Sequence, residues 1–87
     1  MEKVKIKIKA IYDNQGKSLD RYTVVLNEIA DAEKHFTCLA MSSNPTHPQG
    51  FGLHSSCRMG KHMGKLIRFD QLPNECQIVV NSMYIIN

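Results

Sequence analysis

The residues best suited to chemistry lie in one central segment, residues 42–65, which reads SSNPTHPQGFGLHSSCRMGKHMGK. This segment holds three of the four histidines, one of the three cysteines and four of the five glycines, and it contains no acidic residue. Imidazole, thiol and glycine-rich backbone are groups that bind metals, act as nucleophiles or hold phosphates. The spacing of these groups decides which of those chemistries is feasible.

A metal site is the first possibility. His47, His54, Cys57 and His62 are spaced His-x6-His-x2-Cys-x4-His and offer four ligands for tetrahedral zinc. The spacing matches no zinc-finger pattern, and structural zinc sites in short domains usually include two or more cysteines. The other interpretation is that these histidines are exposed or hydrogen-bond backbone carbonyls. We expect no cofactor, and a zinc-stabilised loop stays as the alternative.

A nucleotide site is the second possibility, because Gly60 to Lys65 reads GKHMGK. A Walker P-loop needs four residues between its glycines, a Ser or Thr after the lysine, and a preceding strand. Here the gap is three residues and Leu66 follows Lys65, which excludes nucleotide hydrolysis. Glycines with interleaved cations can still bind the phosphates of a nucleic-acid backbone.

Thiol catalysis is the third possibility, because Cys57 lies between His54 and His62. Arg58 would lower the pKa of the thiol in an exposed loop, but no surrounding sequence completes a catalytic set. The acidic residues lie outside the segment, so paired carboxylates for acid–base catalysis are not evident. The sequence predicts a protein that is not an enzyme.

The charge of the chain is distributed unevenly. Residues 34–69 contain five basic residues and no acid, whereas the whole chain has a net charge of only +3. A basic, acid-free surface attracts anionic partners. The candidate binding residues of this basic loop, taken as residues 42–68, are Phe51, His54, Arg58, Lys61, Lys65 and Arg68.

The same segment also carries apolar residues suited to protein recognition, including Phe51, Leu53, Met59 and Met63. The first hypothesis is therefore a non-enzymatic binding module that contacts a protein partner, or a second copy of itself, through this loop. Binding of a nucleic-acid backbone by Arg58, Lys61 and their neighbours is the alternative.

Alternating residues predict the strands that hold this loop. Lys3 to Tyr12 places apolar side chains on one face and four lysines on the other, typical of a strand with a solvated or anion-binding face. Asn14 and Gly16 predict a turn, and residues 21–27 a second strand with Tyr22 facing the core. Residues 35–41 predict a strand that is apolar on both faces, as expected of a central strand covered on both sides or of one that contacts a partner. Residues 66–69 predict a short fourth strand.

The C-terminal part predicts one amphipathic helix. Pro73 suits a first helical turn, and the helix is expected to run to about Tyr84. Its apolar stripe, with Cys76 as a core residue, needs the sheet as its packing surface. The stripe consists of Leu72, Cys76, Val79, Val80 and Met83. The predicted fold is α+β, a small antiparallel sheet of three or four strands with one C-terminal helix packed on one face and a long Gly/His-rich loop.

Length and composition set the remaining expectations. A chain of 87 residues predicts a single domain, residues 1–87. The stretch MEKVKIKIK has no apolar signal-peptide region, and no apolar run is long enough to span a membrane. Three cysteines cannot all pair, which favours a reducing, cytoplasmic compartment. Because no apolar run is long enough, we expect no membrane contact.

Three phrases together carry a resemblance. They are DRYTVV at residues 20–25, Gly50-Phe51-Gly52 with His54, and Leu72-Pro73 followed by residues 75–77, ECQ. The chain resembles small uncharacterised proteins encoded by bacteria and their phages, from about Tyr12 to Tyr84. The resemblance implies one compact domain in an intracellular setting, of bacterial or phage origin. It assigns no catalytic or binding residue, because none of the phrases has a known chemical role.

Overall fold

A computed structural model describes residues 4–17, 21–30, 33, 35–43 and 52–86, and every structural statement below refers to these residues. Seven strands and one α-helix occur in them, together with short 3-10 helices at Lys61–Met63 and Phe69–Gln71. In chain order the elements are β1 Val4–Ile6, β2 Ile8–Asp13, β3 Tyr22–Ile29, β4 Phe36–Met41, β5 Gly52–Cys57, β6 Lys65–Leu66, α1 Asn74–Met83 and β7 Tyr84–Ile86. The predicted α+β class with a C-terminal helix is confirmed.

Five of the strands form one antiparallel sheet in the order β5-β4-β3-β2-β6. The other two, β1 and β7, pair in parallel, so that Val4 lies opposite Tyr84 and Ile6 opposite Ile86. The sequence predicted three or four strands and gave no signal for β7. No helix in the described residues is long and apolar enough to cross a membrane.

One face of the sheet packs against α1, and we call it the helix face. Leu26, Leu39 and Met41 are fully buried there. Cys76 and Val80 of the helix, and Leu72 just before it, complete this cluster, as the stripe predicted. Met83 is the exception, because its side chain is 38% exposed. The Cys76 thiol donates a hydrogen bond of 3.3 Å to the carbonyl of Ser42, which ties the helix to the end of β4.

A β-bulge at Lys9 makes the predicted alternation of the first strand wrong beyond that residue. Ile8 lies opposite Leu26 and Ala10 opposite Val25, so Lys9 is an extra residue with no partner position in β3. The bulge reverses the faces after Lys9. Ile11 therefore joins the helix-face cluster, whereas Tyr12, predicted to lie with Ile6 and Ile8, faces the opposite side.

The opposite side of the sheet, which we call the second face, has its own small core. Tyr12, Val25 and Cys38 are buried there. No α-helix covers this core in the described residues; Met59 and, from the 3-10 helix Lys61–Met63, Met63 pack against it. The two-sided burial of β4, with Leu39 on one face and Cys38 on the other, agrees with the sequence prediction.

The prediction of a long loop at residues 42–65 is wrong for much of the part that the structure describes. Residues 52–57 form β5, which pairs with β4 without interruption from Gly52 opposite Met41 to Cys57 opposite Phe36. Residues 61–63 form a 3-10 turn, and Lys65 already belongs to β6. The sequence GLHSSC lacks the β-branched and aromatic residues that are typical of strands. It becomes a strand because the free backbone groups along one edge of β4 form hydrogen bonds with it. Residues 44–51 lie outside the described residues.

The predicted turn between the first two long strands is confirmed, with a different residue in the left-handed region. Gln15 and Gly16 have φ values of 62° and 87°. The side-chain oxygen of Asn14 accepts hydrogen bonds from the backbone amides of Gly16 and Lys17. At the end of β2 the Asp13 carboxylate accepts two hydrogen bonds from Arg21, at 2.8 and 3.2 Å. It also accepts one from the amide of Gln15.

Asp13→Ala is expected to lower the melting temperature by about 4–8 °C, because this paired carboxylate closes the hairpin. Asp70→Ala is the matched control: its ion pair with Arg68 joins side chains that are about three-quarters exposed, and a shift of no more than about 2 °C is expected. The hydrogen bond from Arg21 lowers the pKa of Asp13 from its ordinary value of 3.8. The contribution of Asp13 is therefore present at neutral pH and is lost as the pH falls below 3.8 and through the lowered pKa. The melting temperatures of wild type and Asp13→Ala should converge over that acid range. Equal melting shifts for the two variants would contradict this role.

Candidate functional site

The second face carries a partly exposed apolar patch. Phe36, Met59 and Met63 are partly buried and pack against the core of this face. Ile29 lies directly opposite Phe36, and Leu66 directly opposite Tyr12, so both extend the same face. The exposed fractions are 54% for Ile29 and 63% for Leu66. These five residues, Ile29, Phe36, Met59, Met63 and Leu66, are called the second-face patch below.

Cations border this patch. The ammonium group of Lys9 lies 4.8 Å from the centre of the Phe36 ring, a cation–π contact. The bulge makes this possible, since it places Lys9 beside β3 without a partner of its own. Lys61 is exposed, and in the sequence it lies between Met59 and Met63. None of the described acidic residues forms an ion pair with Lys61 or with Lys9.

Arg58 extends the cationic border along the end of β5. Its guanidinium lies 3.5 Å from Nε2 of His35, where it can only donate. On the other side of the ring, Nδ1 of His35 lies 3.8 Å from the Glu33 carboxylate. His35 thus lies between the Glu33 carboxylate and the Arg58 guanidinium, at the end of the sheet where Phe36 lies opposite Cys57.

The structure separates the predicted binding residues into groups. Arg58 and Lys61 lie beside the second-face patch. Lys65 lies opposite Asp13 at the edge of the sheet. Arg68 forms an ion pair of 3.1 Å with Asp70, and its neighbours in sequence, Ile67 and Phe69, pack on the helix face. His54 occupies β5 opposite Leu39, with its side chain outside the described part. Phe51 and His47 lie outside the described residues altogether.

Four contributors to this site were not among the residues that the sequence predicted for binding: Lys9, Ile29, Phe36 and Leu66. Lys9 stood in the lysine row whose alternative interpretation was anion binding, and Phe36 in the strand whose two apolar faces suggested partner contacts. The signals were present in the sequence. What joins them is the bulge at Lys9 and the pairing of Phe36 with Ile29 and Cys57, which no local pattern specifies.

The glycine of the second Gly-Lys pair has a structural role. Gly64 has a φ of +107°, and a Cβ atom placed on it would lie 2.7 Å from Cα of Asn14 and would overlap the Asp13 carbonyl. The chain therefore passes against the turn at the end of β2 at this point. This close approach accounts for Gly64 without a bound phosphate.

No group of three or more potential metal ligands comes together among the described residues. Of the four candidate zinc ligands, Cys57 is half-buried beside Cys38 on the second face, and His62 is exposed in the 3-10 turn. The side chains of His47 and His54 lie outside the described part, so zinc binding by the set of four stays a hypothesis from the sequence.

Thiol chemistry at Cys57 is opposed by its surroundings. Burial, together with a hydrogen bond to Cys38, raises the pKa of the Cys57 thiol to about 12. Burial likewise raises the pKa of Cys76 to about 11. Arg58 was expected to lower the pKa of the Cys57 thiol, but burial has the larger effect because it disfavours the charged thiolate. Both thiols are protonated at neutral pH and are poor nucleophiles.

Alkylation by iodoacetamide tests this directly. At pH 8 Cys57 and Cys76 should react at least about a hundredfold more slowly in the native protein than in guanidinium, because only the thiolate attacks. Peptide mass spectrometry reports each cysteine separately. Native reaction of Cys57 at the denatured rate would show a reactive thiol and reopen the catalytic interpretation.

The comparisons with known proteins leave the family of this chain open. No protein-family model, no curated protein and no solved structure matches it. The resemblance to small bacterial and phage proteins therefore stays a prediction, and the function must be inferred from the site itself.

Proposed function

We propose that this protein is a non-enzymatic binding module that holds a protein partner on its second face. The observation that carries the proposal is the second-face patch with its border of Lys9, Arg58 and Lys61. Exposed apolar side chains surrounded by charged ones are typical of protein interaction sites. The two methionines of the patch can adapt their shape to a partner.

The composition of the patch favours protein over nucleic acid. Single-stranded nucleic acid is held by aromatic rings that stack on bases, and Phe36 is the one aromatic member of the patch. Ile29 and Leu66 offer no stacking surface, but they suit aliphatic side chains of a protein. Cations at the border would steer an acidic partner toward the apolar centre.

A matched pair of charge reversals tests the proposal. Lys61→Glu changes the border of the patch, and Lys17→Glu makes the same change in the exposed turn after β2. Tagged wild type and both variants, each checked for an unchanged melting temperature, are used to capture partners from an extract of the source cells. The captured polypeptide should be retained by wild type and Lys17→Glu and reduced at least about fivefold by Lys61→Glu.

Two outcomes would contradict the proposal. Equal capture by Lys61→Glu and wild type would show that this face is not used. Loss of capture after nuclease treatment would show that nucleic acid is the ligand, which is the alternative function.

A further inference from the structure

A pair of cysteines on the second face carries a further inference. Cys38 is buried in the core of this face, and Cys57, half-buried, packs against it. Their thiols come from neighbouring strands and are joined by a hydrogen bond. The third cysteine, Cys76, lies on the helix face and donates its hydrogen bond to a backbone carbonyl instead. The thiol pair has no role in the proposed function.

The register of the strands makes this pair too wide for a disulfide. Cys57 of β5 lies opposite Phe36, two positions before Cys38 in β4, so the two cysteines are diagonal neighbours. Diagonal neighbours have Cα atoms about 7–8 Å apart, whereas a disulfide needs Cα atoms about 4.4–6.8 Å apart. A metal ion between the two sulfur atoms makes a longer bridge, because two metal–sulfur bonds replace one sulfur–sulfur bond. The diagonal spacing therefore suits a bridging ion better than a disulfide.

The donors on this face favour copper(I) over zinc. Thiolate and thioether sulfur are soft ligands that select copper(I), and Met59 and Met63 pack against the same small core as the two cysteines. Copper(I) forms stable complexes with only two sulfur ligands. Structural zinc takes four ligands from cysteine, histidine and carboxylate side chains. The part of the chain that the structure describes brings no three of those together.

The surrounding charge fits the complex that would form. Copper(I) replaces the two thiol protons, which leave to water, and the resulting complex of one ion with two thiolates carries one negative charge. Arg58 directly follows Cys57 in the sequence. The ammonium group of Lys9 lies 4.8 Å from the centre of the ring of Phe36, the residue opposite Cys57. These cations favour the anionic complex and offset part of the cost of burying it.

We infer that Cys38 and Cys57 bind one copper(I) ion between them. The inference goes beyond the proposed function and does not rest on it, so either can fail without the other.

Copper(I), supplied without oxygen as its coloured complex with bicinchoninate, tests the inference on the full chain. Wild type should remove one ion per chain, read as loss of colour and as the added mass in native electrospray spectra. Cys57→Ala should lower the affinity at least about a hundredfold, because one thiolate remains. Cys76→Ala is the matched control and should bind as wild type does. Melting curves establish that each variant is folded at the assay temperature.

Nitrogen–proton correlation spectra of the wild type add a readout that needs no variant. Loading with copper(I) should shift the amides of Cys38 and Cys57 and leave that of Cys76 in place. Colour that wild type leaves unchanged, equal affinity of Cys57→Ala and wild type, or shifts centred on Cys76 would overturn the inference. Displacement of the copper by an equal concentration of zinc would do so too, because two thiols alone do not make a zinc site.

Discussion

Replacing Gly64 by alanine is expected to lower the free energy of unfolding by about 3 kcal/mol. Two costs combine at this position. The φ of +107° disfavours any residue with a Cβ atom, and that atom would also collide with the backbone of Asp13 and Asn14. Neither the end of β2 nor the segment between the 3-10 turn and β6 can yield without loss of the pairing between Asp13 and Lys65.

Gly16→Ala is the matched control, because it separates the two costs. Gly16 also has a positive φ, +87°, but a Cβ atom there meets nothing within 4 Å. Its expected cost is therefore about 1 kcal/mol, for the backbone conformation alone. Urea unfolding curves of the two variants give the comparison. Similar midpoints would show that Gly64 is not pressed against the turn.

Leu39→Ala is expected to cost about 3 kcal/mol, which corresponds to a fall in melting temperature of roughly 12–24 °C. Leu39 is fully buried in the helix-face cluster, where truncation leaves a cavity between β4 and α1. Its control is Leu66→Ala, since Leu66 is the most exposed large apolar residue described. That change should alter the free energy of unfolding by less than about 0.5 kcal/mol. A large loss at Leu66 together with a small one at Leu39 would mean that the faces have been assigned wrongly.

Local patterns in the sequence predict the parts of the fold that are regular. The apolar spacing from Leu72 to Val80 identifies α1 and its buried side, and the alternation at Tyr22, Val24 and Leu26 identifies the core side of β3. In both cases burial follows the period of an undistorted helix or strand, so the sequence pattern is sufficient.

The missed features depend on contacts between distant residues. β5 has polar residues at several positions and becomes a strand by pairing with β4, and β7 does so by pairing with β1. The bulge at Lys9 reverses Ile11 and Tyr12. The alternation of lysine with apolar residues ends at Ala10, and the three consecutive apolar residues 10–12 do not show which face each side chain takes. Each depends on the register between strands, which a local period does not encode.

The candidate site was predicted in part, for the same reason. Residues of the basic segment such as Arg58 and Lys61 were identified from composition alone. The segment was expected to act as a loop, but Met59 and Met63 pack onto the second face and residues 52–57 add a strand to the sheet. The site is therefore a sheet face with a cationic border, and Lys9 and Phe36 from distant strands belong to it.

Photocrosslinking from two exposed positions tests the central claim, that the second face binds a protein partner. A photoreactive amino acid replaces Leu66 on the second face in one protein and Ile78 on α1 in another; the two native side chains are 63% and 52% exposed. Irradiation in the source cells should give a nuclease-resistant adduct with a polypeptide from position 66 and none from position 78. Equal adducts from both positions, an adduct from position 78 alone, or no adduct from position 66 would contradict the claim.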